Sequence, residues 1–235
     1  MARKVKDDEY ADKRNEILDV AQRLVYTRGY MQISIQDIVD ELGISKGAFY
    51  HYFPSKQAVL EGIISRMGEQ YFSVYLPRLR NASSALEKLQ LLMRESNQWK
   101  GTHRNFLLAL LEVWYHDDNA IVRHKTTLHS VSIMRPLIVE ILEQGIREGS
   151  MAATSVAAAT DVALALMLGL SEAFAAQILN RIADGDTRME LTLDLRRSFT
   201  EAIAHALGLN DGSLELIDRE SLEQWLLPGE KEKQG

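Results

Sequence analysis

The chain has 235 residues and a formal net charge of −6, with 46% hydrophobic and 26% charged residues. That apolar content can fill a sizeable core in one large or two small domains, and the lack of cysteine excludes disulfides and thiolate metal sites. Only 14 glycines and 4 prolines are present, and Val and Ile recur at helical rather than alternating spacing, so the predicted class is all-α.

The charge is unevenly spread. Residues 1–57 carry nine Lys/Arg and nine Asp/Glu, and the remainder carries 18 and 24, which accounts for the whole deficit. Such a chain does not suit nonspecific coating of nucleic acid; it suits a protein whose basic residues gather on one small surface. The N-terminal MARKVKDDEYADK has no apolar h-region, so no signal peptide is expected. The longest apolar run, Val162 to Leu170, is short for a bilayer. The expected location is the cytoplasm, without a membrane partner.

Arg3, Lys4 and Lys6 form a basic arm, for which two readings stand: contact with a DNA backbone or minor groove, or disorder in the free protein. A first helix is predicted from about Ala11 to Thr27, with Ile17, Leu18, Ala21, Leu24 and Val25 as its apolar stripe and Gly29 at its end.

The next stretch, Ser34 to Lys56, is the most informative. Ile35, Ile38, Val39 and Leu42 fall at i, i+3, i+4 and i+7 on one helix face. Ser34 can cap that helix, Asp37 suits its dipole, and Gly43 can take the left-handed conformation that ends it. Ser45 is the expected cap of a short second helix, about Lys46 to Tyr52, stopped by Pro54; Ser55 caps a third from Lys56. From Ile44 to Ser55 the only formal charge is Lys46, with no acid. Tyr50 and Tyr52 offer hydroxyls to phosphate, the helix starts at Ser45 and Ser55 offer free amides, and Gly47 and Ala48 permit close approach to base edges. Two short helices around a glycine turn have the size that fits a major groove. Lys46 and Gln36 are the candidates for base edges, and Ser34, Ser45, Tyr50, Tyr52 and Lys56 for phosphates. His51 suits either role. Phe49 and Phe53 are expected in the core.

The run DELGISKGAFYHYFPSKQAVLEGI, with the Gly29–Tyr30 turn ahead of it, resembles the signature of the TetR family of bacterial transcriptional repressors. The match is dense over Ile17 to Ile63, about a fifth of the chain. The resemblance implies an N-terminal three-helix DNA-binding domain with a helix-turn-helix (residues 1–55) and a larger helical ligand-binding and dimerisation domain (56–235). It also implies a homodimer paired through its last two main helices on a palindromic operator of double-stranded DNA. A small-molecule effector would release it by moving the helix that starts at Lys56.

Beyond the helix-turn-helix, the Lys56 helix is expected to stop near Pro77. Ser84 and Glu87 form a capping box for a helix ending near Lys100–Gly101. Another spans His103 to His116, and one more begins at Asp117–Asn119, is kinked rather than broken by Pro136, and closes at Gly149. Thr154 to Arg181 is Ala-rich and Thr187 to Leu207 amphipathic; small residues let two such helices from each subunit approach closely. Residues 213–227 add an amphipathic segment with Leu214, Ile217, Leu222, Trp225 and Leu226 on its apolar side, packed on the body or extending a dimer contact. The final GEKEKQG is expected to be disordered.

For the effector pocket, Leu108, Glu112, Tyr115 and His116 share a helical side with Asn105, and Glu112 would be the polar anchor of an apolar cavity. Trp99, His103 and Met134 are candidate walls, along with Trp114, Tyr71, Met93 and Met167; at helical spacing such residues also simply fill a core. No Walker loop, dinucleotide glycine fingerprint, G-x-S-x-G elbow or H-E-x-x-H occurs, and His124 and His129 point apart, so no enzyme, cofactor or metal site is expected. The alternatives are a ligand-independent regulator or activator of the same family, and a helical adaptor that does not bind DNA.

Overall fold

Good helix formers fill most of this chain, and its punctuation is local: caps and left-handed glycines. The computed structural model describes residues 2–179, 185–210, 212–217 and 219–226. In chain order the helices are α1 (Ala2–Arg28), α2 (Ile35–Leu42), α3 (Lys46–Tyr52), α4 (Lys56–Asn81), α5 (Ala85–Thr102), α6 (Arg104–Trp114), α7 (Ala120–Glu148), α8 (Val156–Leu179), α9 (Gly185–Ala206) and α10 (Arg219–Leu226). Single 3-10 turns lie at Tyr30–Gln32 and Asp117–Asn119, and there is no strand among the described residues. The protein is all-α.

Two compact units emerge. The first comprises Met1–Gln70 with Asn105–Thr127, and the second Tyr71–Arg104 with Leu128–Gly235. The first unit therefore extends past residue 55 into the opening turns of α4. The reason is packing: Val59, Leu60, Ile63 and Met67 are buried, and a methyl group placed on Gly62 would come within 3.0 Å of Leu18 and 3.1 Å of Phe53. Arg66 ties α4 to α1, donating to Asp19 at 2.7 Å and Gln22 at 2.8 Å. Gln57 donates to the Asp118 carbonyl at 2.7 Å, so the 3-10 turn before α7 belongs to the same unit.

Several helix ends differ from expectation. α1 starts at Ala2, so Arg3, Lys4 and Lys6 sit in its opening turns instead of forming a separate arm; no Gly or Pro interrupts that stretch. α4 continues through Pro77 to Asn81. One lost amide does not end a helix whose next turn is held by packing, and Leu79 is buried. In line with expectation, α7 is unbroken through Pro136, and Gly149 closes it with φ +73°. At α5 the Ser84 hydroxyl accepts from the Glu87 amide, but the Glu87 carboxylate reaches the amide and hydroxyl of Ser83 rather than closing a box on Ser84.

The second unit has its own core, with Leu89, Leu142, Ile203 and Leu222 fully buried. Gly208 ends α9 at φ +61°, where a Cβ would lie 2.1 Å from the Ala152 carbonyl oxygen, so only glycine fits. Among the described residues of the C-terminal segment only α10 is helical. Residues 213–217 are non-helical and held from the body: Gln90 donates to the Ser213 carbonyl, Asn97 to that of Leu216 and Arg196 to that of Ile217. Leu214, Leu216, Leu222 and Leu226 are buried, so the segment packs on the body. GEKEKQG lies outside the described residues.

α8 is longer than the apolar run read from the sequence. By length and composition its 24 residues, with a mean hydropathy of 1.8 in their most apolar window, could cross a membrane. Here α8 packs along α9, Gly169 facing the Phe199 ring, and its Asp161 pairs with Arg135 of α7 at 2.8 Å.

Candidate nucleic-acid interface

The helix-turn-helix is built by local chemistry. Ser34 caps α2: its hydroxyl accepts from the Asp37 amide at 3.2 Å, and the Asp37 carboxylate accepts from the Ser34 amide at 2.7 Å. These Ser34 bonds, with help from Arg28, hold the Asp37 carboxyl below the usual carboxylate range. Gly43 ends α2 at φ 62°, ψ 32°, and the Ile44 amide closes back on the Val39 carbonyl. Ser45 then caps α3, its hydroxyl accepting from the Ala48 amide at 3.1 Å. Within the seven residues of α3 only Phe49 is buried, at 0% exposure, and Phe53 follows it into the core.

Driving Phe49 inward turns the other side of α3 out. Lys46, Gly47, Ala48, Tyr50 and His51 are all exposed, Tyr50 by 51%. A Cβ on Gly47 would meet only the Ser45 hydroxyl, at 3.8 Å, so the fold itself does not require glycine there. The α2 carboxylates that flank this surface are engaged: Asp37 with Ser34 and Arg28, Glu41 with Arg23 at 3.0 Å, and Asp40 with Gln36 at 2.6 Å. The outer face of α3 is thus free of acids and offers one ammonium, one imidazole, a phenol and the open amides of a helix start.

The remaining sequence candidates are less free. Ser34 is exposed, yet its hydroxyl serves the cap in both directions, also donating to Asp37 at 2.5 Å. Gln36 is exposed and donates to Asp40. Ser45 is exposed and acts as the α3 cap. Tyr52 is half-buried. Lys56 is half-buried with its ammonium 4.1 Å from the centre of the Tyr30 ring; burial lowers its pKa, opposed by the charge of Asp37. Burial also pushes the Tyr30 phenol up to about 12.

Sequence reasoning missed Tyr10. Its ring lies 4.8 Å from that of Tyr52 and 5.7 Å, edge-on, from that of His51. A signal existed: Tyr10 is seven residues before Ile17 and continues the α1 stripe backward, but a helix starting at Ala11 leaves it out.

The pocket candidates fall in both units. Leu108, Tyr115 and His116 belong to the first; Leu108 and Tyr115 are half-buried, and the exposed His116 caps the turn at Asp117–Asn119. Trp99, His103 and Met134 belong to the second. There His103 stacks on Trp99 at 4.5 Å, Tyr71 meets Trp99 edge-on at 5.6 Å, and Met134 packs on the core. The Glu112 side chain lies outside the described residues. A shallow cleft of about 350 Å³ in the first unit is lined by Asp19, Gln22, Arg23, Tyr26 and Phe106, none of them in the predicted set.

A capped two-helix unit with an exposed, acid-free second helix defines a helix-turn-helix protein of the DNA-binding class. Residues 17–63 match the model of the bacterial regulatory proteins of the tetR family. The transcriptional repressor KstR2 of Mycolicibacterium smegmatis is 29% identical over 144 residues, which cover 60% of this chain and 68% of the relative. The regulator EthR of the same organism is 47% identical over 53 residues, 23% of this chain and 24% of the relative. A solved transcriptional regulator from Cytophaga hutchinsonii shares the fold with a TM-score of 0.56 at 19% identity, over 83% of this chain and 96% of that one. Residues 17–63 thus match the DNA-binding domain of the tetR family, and the chain is a DNA-binding transcriptional regulator.

Proposed function

We propose that this regulator is a homodimeric repressor released from a palindromic operator by a small-molecule effector. The observation that carries the DNA side is the exposed outer face of α3: Lys46, Gly47, Ala48, Tyr50 and His51 with no acid among them. In this reading α3 lies in the major groove, Lys46 and Gln36 reach base edges, and Gly47 and Ala48 let the backbone approach. Ser45, Tyr50 and Tyr52 hold phosphates, Ser34 and the half-buried Lys56 add to them from the cap and the α4 start, and His51 serves either purpose. The similarity to the transcriptional repressor KstR2 supports the sign of the regulation.

Dimerisation through α8 and α9 is supported by what those helices leave uncovered. Ala158, Val162 and Ala165 of α8 and Leu191 of α9 are exposed, Val162 by 51% and Leu191 by 46%. Apolar and small residues on neighbouring helices suit a four-helix contact between two copies. Control by an effector is supported by the continuity of α4, one helix from Lys56 to Asn81 that Arg66 bonds to α1. An effector that binds better to the state with α4 displaced would shift the population away from DNA.

The test is selection of duplexes from a random-sequence library by the wild-type protein, followed by anisotropy titration at several salt concentrations. The expected result is a palindromic consensus whose affinity falls steeply with salt. Binding without any sequence preference would overturn the reading.

A further inference from the structure

We infer that Tyr10 is a positioning residue for DNA binding, a clasp that sets the C-terminal turn of α3 from outside the helix-turn-helix. Tyr10 precedes the segment matched by the family model. It comes from α1, yet its ring stacks on Tyr52 at 4.8 Å with a 31° tilt and meets His51 edge-on at 5.7 Å; His51 in turn sits edge-on to Tyr52 at 5.2 Å. The three rings close on one another, and two of them belong to residues assigned above to the operator. Without a neighbouring ring, the exposed His51 and the half-buried Tyr52 at the end of a seven-residue helix would have more rotamer freedom, and ordering them on binding costs affinity. The clasp removes that freedom in the unbound protein.

The clasp lies apart from the core that holds the fold. Tyr10 is 38% exposed, whereas Ile17, Leu18, Phe49 and Phe53 are at most 2% exposed. Loss of the Tyr10 ring therefore leaves the core filled and acts on the pose of Tyr52 and His51. The face-and-edge geometry, not the phenol oxygen, carries the effect, since both contacts are made by the ring.

This inference rests on the reading of α3 as the DNA-reading helix, and the two fail at different steps. If the wild-type protein selects no consensus duplex from the library, that reading falls, and the clasp with it, before any variant is compared. With a selected duplex in hand, Tyr10→Phe, Tyr10→Ala and Tyr10→Leu are titrated by anisotropy, alongside thermal unfolding and NMR of the His51 ring protons. The expected result is wild-type affinity for Tyr10→Phe and a loss of about 30-fold for Tyr10→Ala, from one clasp lost in each of two heads. The unfolding midpoint should be little changed, and the His51 ring signals should move as the neighbouring ring current disappears. Tyr10→Leu keeps the apolar bulk without the ring and should lose affinity similarly; it decides the matter if Tyr10→Ala does not fold. Wild-type affinity in the ring-less variants would overturn the inference. So would an equal loss in Tyr10→Phe, which would make the hydroxyl a direct DNA contact.

Discussion

Both units cap helices with nearby serines, but the second adds a cap from a distant segment. In the first, Ser34 and Asp37 cap α2 from within three residues, and Ser45 caps α3 over the same span. In the second, the α5 amide of Ala85 is bonded at 2.9 Å by Glu148, 63 positions away at the end of α7. Both carboxylates are held below their usual range, Asp37 by Ser34 and Glu148 by the Ala85 amide and Gln144. The ends of α2 and α3 are thus specified by short-range chemistry, while Arg66 and Gln57 tie more distant parts of the first unit together. The second is specified by contacts between distant segments, including a C-terminal stretch held by Gln90, Asn97 and Arg196.

The contrast can be broken most forcefully at the cores. Phe49→Ala empties a fully buried site beneath α3 and should cost about 3–5 kcal/mol. Hydrogen exchange should show opening in α1–α3 while α5, α8 and α9 stay protected, and DNA binding should be lost. Leu222→Ala in α10 should cost about 2–5 kcal/mol and place the opening in the second unit, leaving α1–α3 protected. If both variants open the same residues, the two units are one cooperative system and the contrast fails.

Gly47→Ala probes function without stability. No neighbour closer than 3.8 Å resists the methyl group, and alanine is the better helix former, so unfolding should be unchanged or later by up to about 1 kcal/mol. Affinity for a selected duplex should fall about tenfold or more, the scale of a lost base contact. Unchanged affinity would mean that α3 does not approach DNA at this residue.

The smallest effects come from the caps. Each carboxyl has a lowered folded pKa, so its contribution is complete above the ordinary carboxylate value near 4 and disappears as pH falls through the lower folded value. Asp37→Asn and Glu148→Gln should each unfold slightly earlier than wild type at neutral pH, and the gap should close on acidification. Hydrogen exchange should locate the first deficit at α2 and the second at the start of α5. A gap that widens in acid would contradict the assigned sign.

Legibility in the sequence followed the same divide. The caps of α2 and α3, the glycine turn and the inward Phe49 and Phe53 could be read because each depends on residues at most a few positions apart. The passage of α4 through Pro77, the shift of the Glu87 carboxylate to Ser83 and the non-helical 213–217 could not, because packing and competing partners outweigh local preference there. The pocket candidates read as sharing a helical side, Leu108, Glu112, Tyr115 and His116, fall in one unit, whereas Trp99, His103 and Met134 fall in the other, because spacing within one segment does not say which unit a distant segment joins.

By itself, then, the sequence determined the all-α class, the helix-turn-helix and the residues on its outer face, since helix period and capping act over one or two turns. Only the tertiary structure decided that Tyr10 clasps α3, that Lys56 rests on Tyr30, that Arg66 joins α4 to α1, and that the opening of α4 belongs with the reading helices. Each of these joins residues tens of positions apart, and nothing in local propensity encodes a contact between side chains that only folding brings together.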